Sequence, residues 1–129
     1  MNDEFGRFIE TKRKERGITL RGFADMIDIA PAYMSDLENG RRYPPDLDKL
    51  NLMAQHLRLT AEEKQIMFDL AGKVKEKNSV SPDLPDYIMN ESNPNVRVAL
   101  RLARDTNADN AVWQEVINIL EERKRKGES

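Results

Sequence analysis

Two adjacent arginines, Arg41 and Arg42, directly follow a short segment with the residue spacing of an amphipathic helix. A guanidinium group holds its N–H donors in a planar fork that fits the oxygens of a phosphate. If Met34 and Leu37 face inward at about 100° per residue, the outer face carries small and short polar side chains. These are Ala32, Ser35, Asp36 and Asn39, with Tyr33 on the flank. Such a face can enter a DNA major groove about 12 Å wide, so the pattern predicts base and phosphate contacts.

Several of these residues also have a structural interpretation. Arg41 and Arg42 could form a solvated basic loop, but their position directly after the segment favours DNA contact. Asn39 could donate to a phosphate or end a helix, and the sequence favours neither. Tyr33 could reach DNA or pack against the protein, again without preference.

Other kinds of chemistry find little support in the chain. It contains one histidine and no cysteine, and it lacks a phosphate-binding glycine loop and metal-ligand spacing. Glu62 and Glu63 could be mistaken for a catalytic pair, but with Thr60 they form the capping-box pattern of a helix start. The sequence therefore predicts a protein without catalytic activity, cofactor or metal.

The charge of the chain does not by itself indicate a nucleic-acid partner. The 129 residues carry a net charge of −2, and residues 1–58 contain ten Lys/Arg and ten Asp/Glu. Phosphate neutralisation normally supplies most of the non-specific affinity for DNA, so binding would need locally placed cations and two copies of the chain. The start lacks the features of a secretory signal, and no apolar run approaches the roughly 20 residues of a membrane span. We expect a cytoplasmic protein without membrane contact.

Helical periodicity extends through the first 75 residues and predicts five short helices. The first carries Phe5 and Ile9 and stops near Gly17. The second is capped by Thr19, the third spans residues 31–39 and ends at Gly40, and the fourth spans roughly residues 46–57. The fifth opens at the capping box of residues 60–63.

The second and third predicted helices, joined by residues 28–30, have the arrangement of a helix-turn-helix. The second would lie across the DNA backbone, with Thr19 and Arg21 near a phosphate. The third would present its first residues, Pro31 and Ala32, to the bases.

The segment ITLRGFADMIDIAPAYMSDLENGRRYPP, residues 18–45, resembles the helix-turn-helix of the Xre/Cro–CI-like regulators. Its most specific marks are Thr19, Phe23-Ala24, Ile29, Tyr33, Leu37-Glu38, Gly40 and the loop through Pro45. The resemblance covers residues 5–57 and implies an all-α chain with a five-helix, lambda-repressor-like domain. It also implies that Arg13 and Glu38 form a structural salt bridge, and that a dimer inserts the third helix into a palindromic operator.

The chain departs from the family pattern at three positions of this unit. Leu20 replaces a frequent glutamine, Asp28 a frequent glycine and Ala30 a Ser/Thr cap. Few side chains remain for bidentate base contacts, although Ala32 could touch a thymine methyl and Asp36 could accept from a cytosine amino group.

Composition changes after residue 75, and residues 76–85 are rich in Lys, Ser and Pro, which predicts a linker. Residues 86–129 then predict a C-terminal extension of two to three helices. The last helix carries an apolar stripe, namely Val112, Trp113, Val116, Ile117 and Leu120. This stripe could pack within the chain or cover a partner, and we favour a homodimer built from residues 80–126.

Two functions fit these patterns. The first is a transcriptional regulator of the repressor type that binds double-stranded DNA as a dimer. The second is an antitoxin-type protein whose C-terminal helices cover a partner toxin, with DNA binding used for autoregulation.

Overall fold

The structure, a computed structural model, describes residues 4–74 and 80–127. Within these residues the chain is all-helical, which confirms the predicted fold class. The helices are α1 (Glu4–Glu15), α2 (Leu20–Met26), α3 (Pro31–Glu38), α4 (Leu47–His56), α5 (Ala61–Val74), α6 (Pro85–Ile88), α7 (Pro94–Asp105) and α8 (Asn110–Gly127). Two compact units divide between Asp86 and Tyr87.

The N-terminal unit is organised around one apolar core. Every one of the helices α1 to α5 contributes buried apolar side chains to it, because each has an apolar stripe at helical spacing. The largest are Phe5, Ile9, Phe23, Ile27, Met34, Leu37, Leu50, Met53, Leu57 and Met67. The predicted inward positions of α3, Met34 and Leu37, are both confirmed.

Helices α1 and α3 cross unusually closely at Gly6. A Cβ added there would lie 2.4 Å from the carbonyl oxygen of Glu38 and 2.5 Å from that of Leu37. The same two helices are joined by an ion pair between Arg13 of α1 and Glu38 of α3. Arg13 Nε lies 2.7 Å from Glu38 Oε2, and Arg13 Nη2 lies 2.9 Å from Glu38 Oε1. Glu38 raises the pKa of Arg13 through this hydrogen bond. The buried ion pair between Arg13 and Glu38, with its two hydrogen bonds, and the close contact at Gly6 therefore fix α3 against α1.

The predicted helix starts are confirmed. Thr19 Oγ1 accepts a hydrogen bond from the backbone N–H of Gly22 at 3.0 Å. At the start of α5, Thr60 Oγ1 accepts from Glu63 N–H (3.1 Å), and Glu63 Oε1 accepts from Thr60 N–H (3.0 Å). This reciprocal pair is a capping box, so Glu63 has a structural task.

Glu63 also joins α5 to α1. Its carboxylate lies 2.7 Å from Lys12 Nζ and 3.1 Å from Arg16 Nη2. Arg16 Nε in turn donates to the carbonyl of Leu57 at the end of α4. The hydrogen bond from Lys12, aided by the Thr60 N–H and by the charge of Arg16, lowers the pKa of Glu63 to about 2.

Five helices, α1 to α4 and α7, end in the same hydrogen-bonded motif. A residue with positive φ follows each helix and donates to the carbonyl three residues back, and the next residue donates to the carbonyl five back. The positive-φ residues are Gly17, Asp28, Gly40, Arg58 and Asn107. The residues after them are Ile18, Ile29, Arg41, Leu59 and Ala108. Such following residues usually make an apolar contact back to the helix, and Arg41 is the one charged residue among these five.

The C-terminal unit contains helices α7 and α8, and neither has a fully buried residue. A groove of about 540 Å³ runs between them, lined mainly by small and apolar side chains such as Leu102, Ala103 and Trp113. Arg97 Nη1 donates to the carbonyl of Ile88 at 2.6 Å. This unit is a helical hairpin without a closed core.

Of the predicted linker, residues 76–79 lie outside the described residues. In the described part of this segment, the hydroxyl of Ser81 donates to the carboxylate of Asp69 on α5.

Candidate DNA-binding surface

The turn between α2 and α3 is fixed from both sides. Ile29 N–H donates to the carbonyl of Ala24 at 3.0 Å, with Asp28 at φ +57°. On the other side, Lys49 Nζ of α4 donates hydrogen bonds to the carbonyls of Ile27 (2.6 Å) and Asp28 (3.3 Å). The orientation of α3 relative to α2 therefore depends on backbone contacts that side-chain spacing did not reveal.

The outer face of α3 has the predicted composition. Ala32 is exposed, whereas Pro31, Tyr33, Ser35 and Asp36 are partly exposed. Because Met34 and Leu37 on the opposite face are buried, the helix presents a narrow strip of small side chains to solvent. Pro31 occupies the first helical position, where its missing N–H leaves no hydrogen bond unmade.

Asn39 is the exposed C-cap of α3. Its side-chain amide donates to the carbonyl of Ser35 at 3.0 Å. One N–H of this amide is thus used inside the helix end, and the second can still donate to another group.

Arg41 and Arg42 are placed beside α3 by the helix end itself. Gly40, at φ +74°, turns the chain, and Arg41 N–H donates to the carbonyl of Asp36 at 2.8 Å. Both guanidinium groups then lie near the Asp36 carboxylate, with Arg41 Nη1 at 3.9 Å and Arg42 Nε at 3.6 Å. The Arg42 guanidinium also lies 5.5 Å from the centre of the Tyr33 ring, within cation–π range. Both arginines are exposed, and their guanidinium groups are oriented by contacts with Asp36 and, for Arg42, with Tyr33.

Thr19 and Arg21 lie at the start of α2, and both are exposed. The Thr19 oxygen accepts from Gly22 N–H, which leaves its hydroxyl proton able to donate elsewhere. The structure brings the predicted DNA-contacting residues together on the helix-turn-helix unit, α2 and α3 with the loop that follows.

Sequence reasoning missed Lys49, which holds the turn. It also missed a shallow, mostly apolar cleft of about 440 Å³ between the turn and the start of α4. Its lining includes Tyr33, Pro45 and Lys49. The sequence alone does not show whether a lysine on a helix surface donates to a backbone carbonyl or is only solvated.

In the C-terminal unit, the predicted stripe of α8 divides into two parts. Val112, Trp113 and Val116 line the groove toward α7. Of these three, Trp113 and Val116 are partly buried, whereas Val112 is 44% exposed, about as much as Ile117 at 45% and less than Leu120 at 58%. Trp113 and Val116 therefore pack within the hairpin, and the rest of the stripe faces solvent.

The described residues contain no group of three or more His, Cys, Asp or Glu side chains placed to hold a metal ion. None of their helices is both long and apolar enough to cross a membrane.

Residues 9–64 match the family model described as Helix-turn-helix. The N-terminal unit thus contains a helix-turn-helix domain, in agreement with the geometry of α2 and α3. That domain is of the Xre/lambda CI-like type, a family of DNA-binding regulators, which confirms the resemblance noted in residues 18–45.

No curated protein matches the chain. Among solved structures, a chain from one titled "SinR protein/SinI protein complex" aligns with 94% of this chain and 98% of its own length. The sequence identity is 18% and the TM-score is 0.43.

Proposed function

We propose that the protein is a sequence-specific transcriptional regulator of the repressor type, which binds a palindromic operator as a dimer with α3 in the major groove. The observation that carries the proposal is the exposed strip of α3 with Arg41 and Arg42 held at its end. Ala32 would contact a thymine methyl and Asp36 a cytosine amino group, while the arginines contact phosphates. Thr19 and Arg21 would hold the adjoining phosphates.

The arginine at position 41 supports this assignment independently. In the three other helix ends of this motif in the N-terminal unit, the equivalent residue is apolar and packs against the core: Ile18, Ile29 or Leu59. At α3 that anchor is replaced by a charged side chain that remains 71% exposed. The replacement forgoes a stabilising apolar contact and gives the reading helix a cation beside its last turn.

A dimer would supply the affinity that one neutral domain lacks. Two copies would place two α3 helices in successive major grooves, about 34–36 Å apart. The exposed apolar residues of α8, Ile117 and Leu120, are suitable for the dimer seam.

A partner of a different sequence is the alternative occupant of this face. An antitoxin would use the same exposed side chains to cover a toxin, and would still bind DNA through α3. A second, smaller protein that co-purifies in fixed ratio with the chain would favour this function over the homodimer.

Selection from a random duplex library, with the full chain, tests the central proposal. We expect enrichment of an inverted repeat whose half-site centres are about one DNA turn apart. Replacing Arg41 and Arg42 together by alanine should then weaken binding to every duplex and flatten its salt dependence. Substitution of Ala32 should instead change which sequence is selected. Failure to enrich any sequence, with no binding at low salt, would refute the proposal.

A further inference from the structure

The carboxylate of Asp36 lies between two surfaces that the proposed function uses. It is on the outer side of α3, partly exposed at 32%, and it also faces the guanidinium groups of Arg41 and Arg42. Tyr33 supports Arg42 from the other side. One acidic side chain thus contacts the part of the molecule assigned to bases and the part assigned to phosphates.

These contacts affect what the arginines can do in the free protein. At 3.6 to 3.9 Å these contacts are ion pairs too long for a hydrogen bond, and they compensate part of the charge of each guanidinium. The Asp36 charge also repels any phosphate that approaches the same place. Both effects oppose attachment to DNA that offers phosphates but no partner for Asp36.

We propose that Asp36 is a specificity-determining residue that restrains Arg41 and Arg42 until a base occupies its carboxylate. This inference rests on the proposed function and concerns how the same surface discriminates between sequences. When a cytosine amino group donates to Asp36, the carboxylate is satisfied by the base, and the two arginines can turn to the phosphates. Opposite a base that presents only acceptors, the Asp36 carboxylate stays paired with Arg41 and Arg42 and repels the phosphates of the DNA backbone.

The exposed ion pairs make the restraint small enough to be reversible. Exposed pairs of this kind are weak, so their release requires only one good base contact. The restraint should nevertheless be visible as weaker binding to non-cognate DNA. Asp36 would therefore improve discrimination mainly by lowering the affinity for unrelated duplexes.

The test compares Asp36→Asn with the intact protein on two duplexes, the one selected from the library and one of scrambled sequence. We expect the variant to bind the scrambled duplex about fivefold more tightly, with a steeper salt dependence. Its preference for the selected duplex should fall by at least the same factor. The matched control is Glu62→Gln on α5, which removes one exposed negative charge from a residue outside the helix-turn-helix unit.

A second background separates restraint from simple repulsion. In the chain that carries Arg41→Ala and Arg42→Ala, Asp36→Asn should no longer tighten binding to the scrambled duplex, because no arginine remains to be released. An equal gain in both backgrounds would show that Asp36 only repels phosphates, and would overturn the inference. An unchanged scrambled-duplex affinity in the intact background would overturn it as well. Intact protein that binds neither duplex would instead refute the proposed function.

Discussion

Helices α1 and α7 each have twelve residues, yet they differ in how many of their side chains are buried. Helix α1 buries Phe5, Gly6, Ile9 and Arg13, whereas α7 buries no residue completely. Both have apolar side chains at helical spacing. The difference lies in the number of neighbours, because α1 packs in a five-helix unit and α7 belongs to a hairpin. An amphipathic pattern therefore predicts that a face will be covered, but not what covers it.

The two units therefore differ in the kind of surface that they expose. The N-terminal unit closes its own core, and the outer side of α3 carries small and polar side chains, as a DNA-reading surface requires. The C-terminal unit leaves apolar surface on α8, as an association surface requires. Substitutions in the two units test whether the first closes its own core and whether the second associates through its exposed apolar side chains.

The largest effect should follow Gly6→Ala in the N-terminal unit. The new methyl group would overlap the backbone carbonyls of Leu37 and Glu38, and backbone cannot move aside as a side-chain tip can. We expect a loss of about 3 kcal/mol in the free energy of unfolding, despite the better helix propensity of alanine. Urea denaturation followed by circular dichroism measures it. The control is Gly127→Ala on α8, where the added Cβ meets nothing within 4 Å. Equal stability of both variants would contradict the close crossing of α1 and α3.

Ile117→Asp should have the next largest effect, on association of the chain. Placing a charge in the proposed seam removes apolar burial and leaves an unpaired carboxylate, at a cost of about 2 kcal/mol or about a 30-fold weaker dimer. Sedimentation equilibrium measures the change, while unfolding of the N-terminal unit should be unaffected. Asn118→Asp adds the same charge to the neighbouring position of α8, outside the stripe, and should leave association nearly intact. A protein that remains monomeric without either substitution would argue against the homodimer.

A smaller, stabilising effect is expected from Arg58→Gly. Arg58 adopts φ +53° at the end of α4, a conformation that costs a residue with a Cβ about 1 kcal/mol. The glycine variant should gain roughly that amount, and Arg58→Ala should gain nothing because alanine retains the Cβ. In the C-terminal unit, Asn107→Gly should gain less, since asparagine tolerates this region. Thermal unfolding of the three variants provides the comparison, and a gain from alanine equal to that from glycine would exclude backbone strain as the cause.

Local patterns were sufficient to predict much of the N-terminal unit. The caps at Thr19 and Thr60, the turn at Gly40 and the inward positions of α3 all depend on residues close in sequence. Contacts between distant residues were not predictable in the same way. The bond from Lys49 to the turn and the joint use of Glu63 by α1 and α5 require the tertiary arrangement. The division of the α8 stripe likewise depends on where α7 lies.

The last prediction concerns acid, and it uses the link between α1 and α5. The pKa of Glu63 is about 2 in the folded protein, below the value of 4.5 that an unperturbed glutamate has. Its charge therefore stabilises the fold fully above pH 4.5, and this contribution should disappear as the pH falls from 4.5 toward 2. Glu63→Gln keeps a side chain that can form the capping box but removes the charge that binds Lys12 and Arg16. The stability difference between the intact protein and Glu63→Gln, measured by urea unfolding at several pH values, should be constant near neutrality and shrink across that acid range. The exposed neighbour Glu62→Gln should show no comparable dependence. A difference independent of pH down to 2 would mean that Glu63 acts through its hydrogen bonds alone.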